Sequence, residues 1–548
     1  MAGKRQTNGL EALALGTLSA GVRVVTGYPG SPATGLWEAV IGLDRSGLAP
    51  GGQLLHAEWA INEKVAFEIA FGAATSGLAS LVVTKGVGFN VLVDPIMTAN
   101  LSGVRGGLVV AAGDDPGAAW SQNEQDTRPL AAACQLPVLE PTSAELGAET
   151  MRSAFALSRR LALPVVVRFT GGFAQDTATL PLVLPADRPG RSKAGNDEFP
   201  VDGRLRATAR RAVRLHQGLY RKLDEASQLA DDSALNDYCS PGDGTRAVLA
   251  VGHTAALLEE AAGQPSPVAV CRLTTSFPLP ERRLGEFLAP LTEVLVLEEG
   301  GPFVETNVRA LVQRGGLGTS ILGKETAHLP RTGQLTLQHV REALAFRPTH
   351  PAAHEPDRSA HAGFCQDCPF VPAFELLGGL QAEASAKRAR PLFLADPGCA
   401  VYADLPPFEL LEAKQVLGSS IAIGTGLARA LPHRRVVALT GDGAFFHSGL
   451  QALIEAASQR APLGVLILDN ASAAMTGFQP TPITLATGGG KGRRPNLVKL
   501  ARACGVRRAT QVSAANRSAL GRRLRQLLFS GRLEVLVVSG RCPGRPQQ

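Results

Sequence analysis

Asp442 and Asn470 stand 28 positions apart, and each follows a short apolar run, Val436-Val437-Ala438-Leu439 in one case and Val465-Leu466-Ile467-Leu468 in the other. Runs of that length bounded by turn residues predict buried parallel strands. Gly441-Asp442-Gly443 closes the first run with a turn that glycines make easily, and Leu450 to Ala457 predicts the helix between the strands. Both side chains are then expected at the carboxyl ends of adjacent parallel strands, where α/β folds bind ligands. A carboxylate and a side-chain carbonyl beside a helix N-terminus suit a magnesium ion that carries a diphosphate. Upstream, Gly418-Ser419-Ser420-Ile421-Ala422-Ile423-Gly424 supplies small residues that allow backbone to approach phosphate closely. A GDG turn alone is a weak signal; its spacing to Asn470, with a buried strand before each half, is what gives it weight.

Cysteine is the second source of chemistry. Eight cysteines in 548 residues do not make a disulfide framework. Four are unevenly placed: Cys365-Gln-Asp-Cys368, Cys399, and Cys542 near the end. Four thiolates suit zinc or an iron-sulfur cluster equally, and scattered buried cysteines are the bland alternative.

The elements that must position these groups follow from pattern. With 45% apolar residues the chain holds about three or four domains with real cores. Residues 1–185 alternate strands and helices, with a Gly- and Pro-rich loop after Val22–Thr26, and predict a doubly wound parallel sheet. Residues 186–246 lose the apolar strands and gain charge, as expected of a linker with surface helices. Residues 247–330 form a small α/β domain without a catalytic cluster, 331–362 a second linker, and 363–548 a third α/β domain that carries Asp442 and the four cysteines. The predicted fold class is therefore α/β with three doubly wound parallel sheets.

No apolar run reaches the roughly 18 residues that would span a bilayer. Near the start, Glu11 interrupts Leu10, Leu13, Leu15 and Leu18, which recur at helical spacing, so an amphipathic first helix is expected rather than a secretory leader. A cytoplasmic location follows, without membrane or nucleic acid as partner. The net charge of +7 is uneven, since residues 491–548 hold 14 Lys and Arg against one acid, Glu534. Such a stretch is either a set of solvated helix faces or a docking surface for an acidic protein.

A set of motifs occurs in order: Gly27-Tyr28-Pro29-Gly30-Ser31-Pro32, Asn62-Glu63-Lys64-Val65-Ala66, Ser121-Gln122-Asn123-Glu124-Gln125-Asp126, Cys365-Gln-Asp-Cys368-Pro369, Gly441-Asp442 through His447, Asp469-Asn470 and Met475-Thr476-Gly477. Together they resemble the large subunit of indolepyruvate ferredoxin oxidoreductase, one of the 2-oxoacid:ferredoxin oxidoreductases, over nearly the whole chain. The resemblance implies thiamine diphosphate and Mg2+ as cofactors, held between two thiamine-binding-type domains that flank a transketolase C-terminal-like domain. It implies Asp442, Asn470 and the Ser472 backbone carbonyl as magnesium ligands, with Gly418, Ser419, Gly441 and Gly443 lining the diphosphate. Glu63 matches the glutamate that activates the cofactor through its aminopyrimidine ring, with Glu58 the fallback, and Ser31 matches a loop position that meets the oxo acid. Asn90 and His447 lie in motifs that face the cofactor.

The implied reaction is oxidative decarboxylation of an aryl 2-oxoacid to an acyl-CoA, with coenzyme A as co-substrate. Ferredoxins take electrons singly, so a relay is needed. Cys365, Cys368, Cys399 and Cys542 are similar in spacing to the ligands of the thiamine-proximal 4Fe-4S cluster of pyruvate-type enzymes, with Cys504 as competitor for the last place. The implied partners are a separate small (beta) subunit and a ferredoxin or ferredoxin-like subunit, in a homodimer or heterotetramer. Two departures stand out. Relatives continue into a ferredoxin-like module that these 548 residues do not include, and Phe478 stands where relatives generally have His. Alternatives are a non-oxidative thiamine diphosphate-dependent decarboxylase or carboligase, for which the cysteines are superfluous, and a non-catalytic scaffold, for which Glu63 and the metal pair are.

Overall fold

The computed structural model describes residues 4–46, 54–121, 123–181, 208–239, 244–262, 268–354, 363–386, 390–485 and 495–543. They form two compact units, Met1–Asp357 and Arg358–Gln548. The architecture is mixed α/β with three main sheets of seven, five and six strands.

In the first unit the apolar runs become Val24–Gly27, Ser80–Lys85, Leu108–Asp114 and Pro164–Thr170, joined in parallel by His56–Trp59 and Val138–Leu139. Counted in chain order, these six strands lie in the sheet as 2-1-3-4-6-5. A seventh, Thr275–Phe277, reaches over from the middle of the chain and pairs antiparallel with Val138–Leu139. The middle sheet has Arg246–Val251 at its centre, flanked in parallel by Ala269–Leu273 and Glu293–Leu297, with Asp237–Cys239 antiparallel at one edge.

Two sequence expectations are corrected here. The first helix, Gly9–Ser19, is not amphipathic: nine of its eleven residues are buried, because it is packed between the helices Ala33–Arg45 and Ala144–Leu161. Nor is the stretch after Arg331 only a linker. Its helix Leu337–Ala343 inserts Val340 and Ala343 into the core of the middle sheet beside Val248, Leu295 and Leu297. The helix Ala209–Asp231, in the charged stretch, buries Leu219 and Ala226 against Leu161 and Leu163. Residues 182–207 of that stretch lie outside the described residues.

The second unit is built on one all-parallel sheet of Leu392–Ala395, Leu411–Lys414, Val436–Gly441, Leu463–Asp469, Arg508–Ser513 and Glu534–Ser539. Its order in chain numbering is again 2-1-3-4-6-5. The likeness extends to residues. Thr84-Lys85-Gly86-Val87-Gly88-Phe89 ends the third strand of one sheet and Thr440-Gly441-Asp442-Gly443-Ala444-Phe445 that of the other. In both, the buried threonine donates to the next residue's carbonyl, at 3.1 and 3.3 Å, and the phenylalanine is fully buried.

Candidate active site

The strands Val436–Gly441 and Leu463–Asp469 pair with Gly441 opposite Leu468, so Asp442 emerges beside Asp469 and Asn470. Asp442 is buried. Burial and the neighbouring Asp469 carboxylate push its pKa up to about 7, and its side-chain partner is the Thr481 hydroxyl, which donates to Oδ2 at 3.1 Å. A buried carboxylate beside a second one, without a bonded arginine or lysine on Asp442 among the described residues, fits a divalent cation, which would return Asp442 to its ionised form. Asn470 Oδ1 accepts from Ser472 N at 3.2 Å, and Ser472 Oγ is buried without a partner.

Gly418 has a left-handed φ of +79°, and a side chain on it would collide with Ala444 O and Gly449 N at 2.8 Å. That close approach holds the Gly418-Ser419 loop on the helical turn that starts at Asp442. Ser448 Oγ ties it further by donating to Leu417 O at 2.7 Å. His447 is buried in the same turn, 3.1 Å from Ser448 Oγ through Nδ1. Beyond Asn470, the Met475-Thr476-Gly477 segment closes on itself, with Ala473 N donating to Gln479 O at 2.9 Å and Phe478 at a φ of 63°.

Sequence reasoning missed Asp396. It follows Leu392–Ala395 as Asp442 follows its own strand, and its amide donates to Leu439 O at 3.0 Å, which sets it next to the strand of Asp442. It is 1% exposed. Oδ1 accepts from Ser420 N, at the start of the helix Ser420–Ala430, at 2.8 Å, while Oδ2 is buried without a partner. Burial pushes its pKa up to about 6, against the pull of the Thr440 and Ser420 hydroxyls and of His447. The signal was available, since an acid directly after an apolar strand run is what singled out Asp442.

Cys365 and Cys368 form a turn closed by Cys368 N donating to Cys365 O at 3.0 Å. Cys399 opens the turn Cys399–Asp404 after Asp396, and buried Cys542 follows the strand Glu534–Ser539. Gly540 makes room for this approach, because a side chain there would meet Pro369 at 2.7 Å. Burial and the charges of Cys368, Cys542 and Cys365 push the Cys399 thiol up to about 12, so the four sulfurs share one neighbourhood. Cys504 is raised by burial alone. Among the described residues no three Cys, His, Asp or Glu side chains form a group that could hold one metal ion.

In the first unit, Glu63 opens the helix Glu63–Thr75, whose N-cap Asn62 accepts from Val65 N at 2.9 Å. Glu63 is buried and Glu58 exposed. Gly88 leaves the space that the Glu63 carboxylate occupies. Ser31 lies half-buried in the turn after Val24–Gly27. Asn90 Nδ2 donates to Gln125 Oε1 at 2.8 Å. The motif around Asp126 turns out to join domains: Asp126 accepts from Arg128 Nη2 at 2.7 Å and from Gly301 N at 2.9 Å. Gln122 lies outside the described residues. In the basic stretch Arg517 and Arg525 pair with Glu375 and Glu383 at 2.8 and 2.7 Å; Lys491, Arg493, Arg494 and Arg545 lie outside the described residues. No described helix is long and apolar enough to cross a membrane.

Residues 402–538 match the family described as thiamine pyrophosphate enzyme, C-terminal TPP binding domain. The fold is similar to that of 2-oxoglutarate:ferredoxin oxidoreductase from Magnetococcus marinus, solved with 2-oxoglutarate, coenzyme A and succinyl-CoA bound. The TM-score is 0.50 at 17% identity, over 63% of this chain and 65% of that one. Residues 402–538 thus carry a C-terminal domain of the thiamine pyrophosphate enzyme type. Along the sequence, the chain is 30% identical to indolepyruvate oxidoreductase subunit IorA of Archaeoglobus fulgidus, covering 97% of this chain and 86% of the relative. It is 31% identical to the subunit of the same name from Thermococcus kodakarensis, covering 91% and 79%. The chain belongs to the family of indolepyruvate oxidoreductase IorA subunits, a catalytic subunit of the 2-oxoacid oxidoreductase class.

Proposed function

We propose that the chain oxidatively decarboxylates an aryl 2-oxoacid of the indolepyruvate type to its acyl-CoA, with electrons leaving through a 4Fe-4S cluster to a ferredoxin. The observation that carries this reading is buried Asp442, beside Asp469 at the carboxyl edge of the second unit's sheet, raised in pKa and without a bonded arginine or lysine among the described residues. Asp442, Asn470 and the Ser472 carbonyl would hold magnesium, and the Gly418-Ser419 loop would approach the diphosphate. When bound, thiamine diphosphate supplies the carbanion that attacks the oxo carbon and stabilises the charge left by decarboxylation. Glu63 would hydrogen-bond the aminopyrimidine ring, and Ser31 lies in the loop proposed to meet the oxo acid.

Cys365, Cys368, Cys399 and Cys542 would hold the cluster. Around one zinc ion, with Zn–S of ~2.3 Å, tetrahedral thiolates stand about 3.8 Å apart; a cluster of four irons spreads them more widely. The four sulfurs share one neighbourhood, and it is the motif resemblance that favours the larger group. The subunit name of the relatives and the motif resemblance support a separate small subunit, and the exposed arginines of 491–548 support an acidic electron acceptor.

The test is anaerobic purification with iron, zinc and thiamine assays and a visible spectrum before and after a panel of 2-oxoacids with coenzyme A and the small subunit. The expected protein is brown, with about four irons per chain, lost in Cys368→Ser and in Cys542→Ser, and is bleached by arylpyruvates. One tightly held zinc without iron removes the cluster from the reading, and release of an aldehyde in place of an acyl-CoA makes the enzyme a decarboxylase.

A further inference from the structure

Asp115 is a buried carboxylate that the proposed reaction does not use. It follows the fourth strand of the first sheet, Leu108–Asp114, and gathers the amides of the loop beyond. Trp120 N donates to its Oδ2 at 2.8 Å, and the amides of Ala119 and Ser121 join it. Lys85, at the end of the third strand, donates from Nζ to Trp120 O at 3.2 Å. Its stem runs along Gly30, where a side chain would meet Cβ and Cδ at 3.0 Å. Lys85 thus links Trp120 to the Ser31 loop after the first strand. No side chain fits at Gly171 either, since it would run into the six-membered ring of Trp120.

What these groups hold in place is a tryptophan that is 41% exposed. The chain has three tryptophans, and the other two, Trp37 and Trp59, are buried and stacked on each other. An exposed apolar side chain on its own means little. Here a buried carboxylate, a lysine and a glycine fix one at the carboxyl edge of a doubly wound sheet, where ligands bind. A ring already fixed also loses little freedom when a ligand covers it. We propose that Trp120 is the aryl-recognition residue of the oxo acid site, the substrate's ring stacking on the indole while its oxo acid end lies at the Ser31 loop. In the order 2-1-3-4-6-5 the first and fourth strands stand two places apart, about 10 Å, a span that an aryl 2-oxoacid bridges and pyruvate does not. The inference rests on the oxo acid reading above and names the residue that selects the aryl group.

The test has two arms. In the first, the anaerobic enzyme with its small subunit turns over phenylpyruvate and indolepyruvate, and in parallel 2-oxoisovalerate and pyruvate. Trp120→Leu is expected to raise the KM of the aryl acids about tenfold, the upper end of what an aromatic pair contributes, with kcat and the aliphatic acids little changed. Trp120→Phe is expected to restore most of the loss. Equal weakening of aryl and aliphatic acids, or a higher demand for coenzyme A or for the small subunit alone, overturns the inference. The second arm needs no turnover. Because Trp37 and Trp59 are buried, acrylamide quenching of the wild-type fluorescence reports chiefly on Trp120. Phenyllactate, which carries the aryl group without the oxo group, is expected to protect it, and 2-hydroxyisovalerate to leave it open. No protection by phenyllactate overturns the inference, even where aryl acids are turned over and the oxo acid reading stands. Protection without turnover of any oxo acid sinks that reading and leaves Trp120 as an aryl-binding residue.

Discussion

The protein uses one sheet order twice and treats buried charge in opposite ways. In the first sheet, Asp114, Glu140 and Arg168 stand at the carboxyl ends of neighbouring strands and are bonded to one another, Arg168 Nε meeting Asp114 at 2.6 Å and Nη1 meeting Glu140. Fully buried Arg128 adds Asp126 and Glu298, the latter at 2.8 Å, and both arginines donate to the Glu299 carbonyl of the middle domain. In the third sheet, Asp396 and Asp442 occupy comparable strand ends, yet neither is bonded to an arginine or lysine among the described residues. Charges that close on themselves join two domains, whereas the two carboxylates at the strand crossover have only neutral hydroxyls and backbone amides as hydrogen-bond partners among the described residues. The residue types are the same, and only the partner differs.

The sharpest way to break this contrast is to remove one charge from each side. Arg168→Met strips Asp114 and Glu140 of their counterion, and breaking a buried network by removing one partner costs about 3–5 kcal/mol. The expected readout is a large drop in the denaturation midpoint. A loss under about 1 kcal/mol would mean that the network contributes little to joining the domains. Asp442→Asn should act in the reverse direction on the apoprotein. Its carboxyl is held up at about 7 by burial and by Asp469, so at pH 8 the folded chain carries a charge that the unfolded chain holds more comfortably. Removing it is expected to stabilise the apoprotein by about 4 kcal/mol, while magnesium-dependent binding of thiamine diphosphate falls by at least about a hundredfold. Destabilised apoprotein with intact binding would reverse the contrast.

Much of the open site was legible because its residues sit where strand runs end. Asp442 and Asn470 follow apolar runs, and period and turn chemistry place such residues without tertiary information. Asp396 obeys the same rule but stands in Asp-Pro-Gly, a sequence that reads as an ordinary turn; its burial, which makes it interesting, comes from Ser420 and the strand of Asp442, both distant in sequence. The closed network was illegible for a related reason. Arg128 and Arg168 look like surface residues until Glu298 and Glu299, more than a hundred residues away, arrive to bury them. The first helix fails as an amphipathic reading because two helices cover it, one of them beginning at Ala144, and a moment read from sequence supposes one solvent face.

A smaller effect sharpens the difference at Asp396. Its folded pKa of about 6 lies above the unfolded value of about 3.9. Below pH 4 both states are protonated and the group contributes nothing. Between pH 4 and 6 the unfolded chain ionises first, so apoprotein stability falls as pH rises, and above pH 6 the full penalty is present. Asp396→Asn should therefore match the wild-type apoprotein near pH 4 and exceed it by about 2 kcal/mol at pH 7, measured as denaturation midpoints across that window. A constant offset at every pH would assign the change to packing.

The smallest effect concerns the side-chain donor that Asp442 has among the described residues. Thr481 is buried, and its hydroxyl lies 3.1 Å from Asp442 Oδ2. In the closed network arginine does this work with a full charge; here a neutral hydroxyl does it, which favours the ionised carboxylate without neutralising it, and leaves the charge available to a cation. Thr481→Val keeps the shape and removes the donor. Asp442 Oδ2 would then lose its hydroxyl donor, and removing such an outer partner of a metal ligand costs about tenfold in metal affinity at the low end of the range. Magnesium titrated at saturating thiamine diphosphate should bind about tenfold more weakly, with fold and thiamine stoichiometry unchanged. The variant should also push the Asp442 pKa further upward, since the lost hydrogen bond helps to hold it down, so the deficit should widen as pH falls from 8 to 6. Unchanged magnesium affinity across that range would leave Thr481 as packing for the loop after Gln479, and would mean that the open site sets the charge of Asp442 without help from a hydroxyl.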